Sequence, residues 1–336
     1  MRLGLSIGYA PPGTNPTELI ALAREAERLG FDSAWAAEAW GTDAVTVLAW
    51  LGATTSRIAL GSAVMQIAAR SPAATAMTAA TLDLMSGGRF RLGLGVSGPQ
   101  VVEGWHGEPW ARPLVRTREY VEIVRAALRR ERLEYDGERY RIPYRGPGAT
   151  GLGKPLKLML RPVRAELPIY LAALRPRAVE LAVEVADGWL PFFFVPARAR
   201  DAFGAALDRA RDGFDIAPTA PVVLTDDVQA GLDTLKPFYA LYVGGMGARE
   251  RNFYNELMAR YGYPDEAHRV QELYLAGRQR DAAAAVPDRF VDEAALVGPQ
   301  ERLADRLEAW REAGVTTLIC ATRDAAALRT LAGLLL

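Results

Sequence analysis

One phrase recurs along this chain and narrows its fold more than any other feature: an amphipathic helix, a glycine, then a short apolar run. In the first copy Asn15 can accept from the free N–H groups of a helix start, and Pro16 suits the first helical position. Leu19, Leu22, Ala23, Ala26 and Leu29 then share one face. Gly30 ends the helix, because glycine adopts the left-handed conformation at little cost, and an apolar strand follows at 31–37. The phrase returns as helix 178–186, Asp187-Gly188 and Trp189-Leu190, and again as helix 303–313, Gly314 and strand 315–320. Pro11-Pro12-Gly13 is read as the turn that leads into the first helix.

Candidate strands fall at 2–8, 32–37, 57–64, 90–95, 167–173, 188–191, 220–224 and 315–320, mostly separated by helical stretches. Alternating strands and helices imply a parallel sheet, and eight such units predict an α/β fold of the closed (β/α)8 TIM-barrel type. An open doubly wound sheet uses the same alternation. It usually has fewer strands and a Gly-x-Gly-x-x-Gly turn after its first strand, which this chain lacks. Two stretches exceed a plain barrel: 131–166 after the fourth strand, rich in Gly, Pro and Arg, and a helical 228–297 before the last unit. Both are expected to be insertions near the active-site mouth of a single domain, 1–336.

Composition sets the outer limits. A chain of 336 residues that is 50% apolar can bury one large core. Lys plus Arg and Asp plus Glu number 40 each, so no net field favours nucleic acid or an anionic membrane, and a small molecule is the expected partner. The start of the sequence lacks a signal-peptide pattern, and no stretch reaches about 18 uninterrupted apolar residues, so a cytoplasmic protein is expected. With a single cysteine, Cys320, and two histidines, His106 and His268, no metal site is expected. A homodimer is the expected assembly.

In a barrel the site lies at the C-terminal ends of the strands. The second strand ends in Glu38-Ala39-Trp40, placing a carboxylate and an indole there, and the third ends in Ala63-Val64-Met65-Gln66, an apolar edge for a flat ring. The fourth ends in 93–99, where Gly93, Gly95 and Gly98 can let backbone N–H groups approach an anion around Val96 and Ser97; relief of crowding is the competing reading. The fifth ends in Ala172-Ala173-Leu174 and leads through Arg175-Pro176-Arg177 into a helix start, a natural phosphate seat. Glu38 is the candidate acid; its alternative is an ion pair with Arg70. Tyr9, Trp40 and Trp189 are candidates for the substrate pocket. Phe192-Phe193-Phe194 reads as packing first and as an apolar substrate wall second.

The stretches 25–33, 86–98 and 186–191, with Gly298-Pro299 through 311–317, resemble in order the luciferase-like superfamily and its actinobacterial-type F420-dependent oxidoreductases. Gly98-Pro99-Gln100, Glu103-Gly104-Trp105-His106-Gly107 and the run 239–247 extend the resemblance to a branch whose substrates are mostly undefined. The resemblance implies coenzyme F420 as hydride carrier, with FMN as the alternative. It places the ring against a bulge with a cis Ala63–Val64 peptide beside Gln66. It also places the phosphate at Val96, Ser97 and Gly98 and at the turn Ala173, Leu174, Arg175 and Pro176, with Gly95 and Ala172 as further cofactor-binding residues. Several relatives carry a catalytic histidine preceded by an acidic residue after the second strand; here Glu38 matches the acid but Ala39 holds the histidine position.

The function implied is hydride transfer between the deazaflavin and a small apolar substrate with an activated C=C, C=O or imine group, with Glu38 as proton donor. Solvent, the substrate or Tyr9 would supply the proton otherwise. The alternatives are an FMN-dependent two-component monooxygenase and a deazaflavin-binding protein without catalysis.

Overall fold

The computed structural model describes residues 1–9 and 13–336; Pro11 and Pro12 of the expected turn lie outside the described residues. The strands are β1 (Arg2–Gly8), β2 (Ser33–Ala36), β3 (Ala59–Ser62), β4 (Met65–Gln66) and β5 (Phe90–Gly95). A small antiparallel hairpin, β6 (Tyr135–Asp136) and β7 (Arg141–Ile142), stands apart. Then come β8 (Ile169–Ala172), β9 (Gly188–Leu190), β10 (Asp215–Ile216), β11 (Thr219–Leu224), β12 (Leu296–Gly298) and β13 (Thr317–Ala321). All eight expected windows hold a strand. Parallel pairing runs in the order β10-β9-β8-β5-β3-β2-β1-β13-β11-β12, with β4 on β5.

This α/β sheet is curled. Asp215 N and Ala217 N donate to the carbonyls of Asp187 and Trp189 (3.0 and 2.9 Å), while Thr316 N and Ile319 N donate to those of Ile216 and Pro218 (3.0 and 2.9 Å). The segment 215–218 is thus bonded to β9 on one side and to the β13 region on the other.

Local chemistry explains the elements. Asn15 Oδ1 accepts from Thr17 N at 3.0 Å, Pro16 opens the helix Pro16–Leu29, and Gly30 closes it at φ +90°. Gly314 repeats that conformation at φ +83°. Gly188 differs: it is an extended strand residue, and a Cβ there would stand 2.4 Å from the Tyr170 ring.

Alternation along the strands divides the core. One large cluster lies between sheet and helices, while Trp35, Tyr170, Leu190, Ala217 and Ile319 fill the concave side with Ala63, Val64 and Ala172 packed on them. Here Trp189 departs from expectation. It faces the helical layer, is fully buried, donates to Ala173 O (2.9 Å) and packs edge-on against Phe203, so it is not a substrate-pocket residue. Its neighbour Leu190 points inward, as the two-residue period of a strand requires.

The excursion 131–166 also departs from its expected place. It follows the helix Pro113–Leu128 and leads into β8, so it joins a helix to the start of a strand. Arg164 reaches Asp83 and the carbonyl of Phe90, the first residue of β5. The region 228–297 holds the expected helices, a π-helical turn at Leu241–Gly245, and the strand β12, which periodicity did not reveal.

Candidate active site

A cavity of about 1510 Å³ opens at the C-terminal ends of the strands. Its floor is made where β3 breaks into β4. Gly61 stands opposite Arg91 and Met65 opposite Leu94, so three residues, 62 to 64, face two, 92 and 93. This is a bulge, and the Ala63–Val64 bond in it is cis, as the resemblance implied. Ser62 Oγ replaces the missing ladder partner, donating to Gly93 O (2.8 Å) and accepting from Gly93 N (2.9 Å).

The glycines opposite serve this bulge. A Cβ on Gly93 would sit 1.9 Å from Ser62 O, and one on Gly95 would sit 2.4 Å from Val64 Cγ2. The crowding reading therefore holds for both: they admit the bulge, and Gly95 reaches the cavity as part of its floor. Ser97 follows with a left-handed backbone, φ +59°, and Gly98 caps the short helix Pro99–Gly104.

Gln66 organises one side of the floor. Its Nε2 donates to Ala39 O (2.7 Å), while its Oε1 accepts from Ser97 Oγ (2.9 Å) and lies 3.2 Å from His106 Nε2. His106 is therefore a loop hydrogen-bonder, tying the helix Pro99–Gly104 to the bulge.

Glu38 is 9% exposed and lines the cavity, yet its carboxylate is committed. Arg70 binds both oxygens, at 2.7 and 2.9 Å, and also reaches Asp43 at 2.6 Å. Gln66 N and Ala44 N complete the set, each at 3.3 Å. A proton on either oxygen would displace a guanidinium N–H or a backbone N–H. Glu38 thus joins the end of β2, the bulge strand and the start of the helix Ala44–Thr54. The Arg70 ion pair named as the alternative is the arrangement present.

Opposite the floor the walls are aromatic. Trp40 lines the cavity and is half exposed, and Trp105 and Trp110 stand nearby. Of the three consecutive phenylalanines only Phe192 reaches the cavity, while Phe193 and Phe194 are buried. Phe192 packs against Tyr242 (4.9 Å) and Tyr254 (5.7 Å). Both tyrosines line the cavity; they come from the π-helical turn and from the helix Phe253–Arg260. Tyr9 closes the ring from the end of β1, its carbonyl held by Arg323 (3.2 Å). Strand reading had found Tyr9. Tyr242 and Tyr254 lie in a helical insertion, away from any strand end; the run 239–247 was the one signal for Tyr242, and Tyr254 had none.

The rim is cationic. Arg112, Arg175, Arg177, Arg251 and Arg260 line the cavity, with Glu38 the single carboxylate among the lining residues. Arg175, the expected phosphate ligand, is held by Glu256 (2.6 to 2.9 Å) and lies 4.6 Å over the Phe253 ring. Arg112 pairs with Glu138, and Arg260 donates to Leu174 O (3.1 Å). Among the described residues no ion pair or side-chain hydrogen bond engages Arg177 or Arg251. Arg177 lies at the start of the helix Pro176–Val185, where Ala172, Ala173, Leu174 and Pro176 also line the wall. No residue of 131–166 contributes to the lining, whereas 228–297 supplies much of one wall.

Among the described residues no group of three or more His, Cys, Asp or Glu side chains is arranged to hold a metal ion, and no helix is long and apolar enough to cross a membrane.

Known proteins are similar to this chain in sequence and fold. The chain is 47% identical, over 99% of both sequences, to a Mycobacterium tuberculosis protein named "Putative coenzyme F420-dependent oxidoreductase". Its fold is similar to coenzyme F420-dependent tetrahydromethanopterin reductase from Methanopyrus kandleri, with a TM-score of 0.80 and 23% identity over 98% of this chain and 97% of that one. It is also similar to the oxygenating constituent of 3,6-diketocamphane monooxygenase from Pseudomonas putida, solved with FMN, with a TM-score of 0.69 and 19% identity over 99% and 97% of the two chains. The sequence profile of the luciferase-like monooxygenases matches residues 1–317, and with it the chain belongs to the luciferase-like monooxygenase family.

Proposed function

We propose that this protein is an F420-dependent oxidoreductase whose ring seat is the bulge at Ala63 and Val64 and whose anion arm is the cationic rim. One observation carries the reading: a cavity with a flat apolar floor and, at its edge, two arginines with no side-chain partner among the described residues. Ala63, Val64, Leu94, Gly95 and Ala172 offer the floor, and Arg177 and Arg251 offer charge for an acidic tail. These residues fit a deazaflavin with its phosphate and acidic chain better than FMN, which carries one phosphate. Gln66, Val96, Ser97, Gly98 and the turn from Ala172 to Pro176 complete the cofactor contacts, with Arg175 fixed by Glu256 beside them. The 47% identical relative bears the F420-dependent name, which supports the choice.

The bound deazaflavin supplies obligate two-electron hydride chemistry. The chain's own part is to orient the ring, exclude water and place a proton source against the substrate. Glu38, bridged to Arg70, is read as the positioning residue of the ring seat, and the acid role expected of it passes to another side chain. The substrate is a small apolar molecule with an activated C=C, C=O or imine group, accepted by the aromatic wall of Trp40, Phe192, Tyr242 and Tyr254. The curled sheet is read as a (β/α)8 barrel, with 215–224 as its broken seventh strand and 228–297 as the insertion that covers the site.

A homodimer is part of the proposal. Trp50, Met77, Leu84 and Met85 are all half or more exposed on two helices that pack together, Ala44–Thr54 and Pro72–Met85, and a second copy would cover them. The cell compartment proposed is the cytoplasm, and balanced charge argues against nucleic acid or membrane as a partner. Parallel titration of the protein with F420 and FMN tests the cofactor: F420 is expected to bind more tightly, and preference for FMN would favour the monooxygenase reading.

A further inference from the structure

The committed carboxylate of Glu38 and the alanine at position 39 leave the cavity without the acid expected at the second strand. We propose that Tyr9 is the catalytic proton donor, that Tyr242 positions it, and that the substrate is a planar carbonyl compound whose oxygen lies against the Tyr9 hydroxyl. This rests on the F420 reading above.

Three observations converge on Tyr9. It lines the cavity at the end of β1, within electrostatic reach of Glu38, and it is 39% exposed where Tyr242 is 7% exposed. The two phenols interact, Tyr242 favouring negative charge on the Tyr9 oxygen, which makes Tyr242 the donor side of the pair and Tyr9 the acceptor side. With Tyr242 on the donor side, the Tyr9 O–H is the one left to face a ligand. Two polar side chains at the floor are already used: Ser97 donates to Gln66, and Gln66 to Ala39. Tyr242 is held edge-on by Tyr254 and tilted on Phe192, both at 4.9 Å, so the pair is rigid on its buried side. Burial holds the Tyr9 phenol above its ordinary value; the Tyr242 bond opposes this and the Glu38 charge adds to it, so Tyr9 keeps its proton at neutral pH.

The step balances as follows. The carbonyl carbon accepts a hydride, its π pair moves onto oxygen, and that oxygen takes the Tyr9 proton. Reduced F420, when bound, would supply that hydride and so give up two electrons, and the Tyr9 phenolate regains a proton from water. The aromatic wall selects planar substrates, since flat rings stack on Phe192 and Trp40.

The test has a binding arm and a turnover arm. 4-Nitrophenol, a flat oxyanion mimic, is titrated into the protein without cofactor and followed by its phenolate absorbance. Binding to the wild type, weakened tenfold or more in Tyr9→Phe and unchanged in Tyr239→Phe, is the expected result. Tyr239 is a fully buried phenol of the same aromatic cluster that does not line the cavity, so it reports a merely structural loss. In the turnover arm, reduced F420 is offered with cyclohex-2-enone, cinnamaldehyde and 1-naphthaldehyde. Tyr9→Phe should lose about 100-fold in kcat with unchanged F420 affinity, a typical general-acid effect, and Tyr9→His should recover part of it. Tyr242→Phe should lower kcat less and leave F420 affinity intact.

Equal 4-nitrophenol binding by wild type and Tyr9→Phe, or none by the wild type, overturns the inference. So does F420 binding without turnover of any of the three carbonyls, an outcome that leaves the cofactor reading standing. Failure to bind F420 overturns both.

Discussion

The two ends of the curled sheet solve opposite problems with similar residues. At the N-terminal end Asp215, 3% exposed, is saturated: Arg2 reaches it at 2.8 Å, Tyr170 Oη at 2.9 Å and Thr317 Oγ1 at 3.1 Å, with Thr316 on its other oxygen. Beside it Arg91 binds Asp32 at 2.6 and 3.1 Å. At the C-terminal end the cavity keeps two arginines without side-chain partners among the described residues, and a phenol pair with a proton to spare. The same side-chain types, Arg and Tyr, are closed into pairs at one end and in part left open at the other. Full satisfaction of polar groups marks an end built for stability, while open groups beside a cavity mark one built for a ligand.

The largest effect should come from breaking the closed end. Asp215→Ala strips the buried acceptor from Arg2, Tyr170 and two threonines, and should cost about 3–5 kcal/mol of stability. Thermal melting reads the loss, and F420 affinity of the folded fraction should stay the same. Intact stability would show that the saturated cluster does not hold that end together.

Glu38→Gln comes next and links the two ends' behaviours, because Glu38 is the one saturated carboxylate in the cavity. Loss of charge-assisted bonds to Arg70 should cost about 2 kcal/mol. It should also weaken F420 binding, because the bulge strand loses its anchor to β2. Unchanged binding with lost turnover would return Glu38 to the role of acid.

At the open end Arg177→Ala should weaken F420 binding by about tenfold at low salt and less at high salt, with little change in melting temperature. Arg175→Ala should do less to affinity, since Glu256 already neutralises that guanidinium. The reverse order would show that Glu256 releases Arg175 when ligand binds.

The smallest effect tests a polar group outside both ends. Tyr239 Oη is buried without a hydrogen-bond partner among the described residues. Tyr239→Phe should therefore raise stability by about 1 kcal/mol, readable in denaturant midpoints. A drop would reveal a bound water at that hydroxyl.

Much of this was legible beforehand because it is encoded locally. Asn15, Pro16 and Gly30 announce a helix by chemistry within a few residues, and the eight strand windows follow from apolar runs bounded by such signals. Strand ends could then be searched in order, which found Tyr9, Glu38, Trp40, Gln66, Ser97 and Arg175 as cavity residues. Trp189 escaped the method for want of one residue of phase: a strand turns alternate side chains to opposite layers, and its period alone does not say which layer is the site. The 131–166 excursion was misplaced for a related reason. A long loop looks alike whether it leaves a strand or enters one, and only the position of the helix Pro113–Leu128 before it assigns the end.

The sequence by itself determined the alternation of elements, the parallel sheet, the family and the strand-end positions that could meet a ligand, because each depends on near neighbours in the chain. The tertiary structure alone decided which charges are spent. Arg70 reaches Glu38 across 32 residues, and Glu256 reaches Arg175 across 81. Arg177 lies two residues from Arg175 yet has no such partner among the described residues. Pairing over those distances is set by how the sheet curls and where the helical insertion lands. That is why an acid read from the end of a strand became an anchor, while a tyrosine in the π-helical turn became the neighbour of Tyr9.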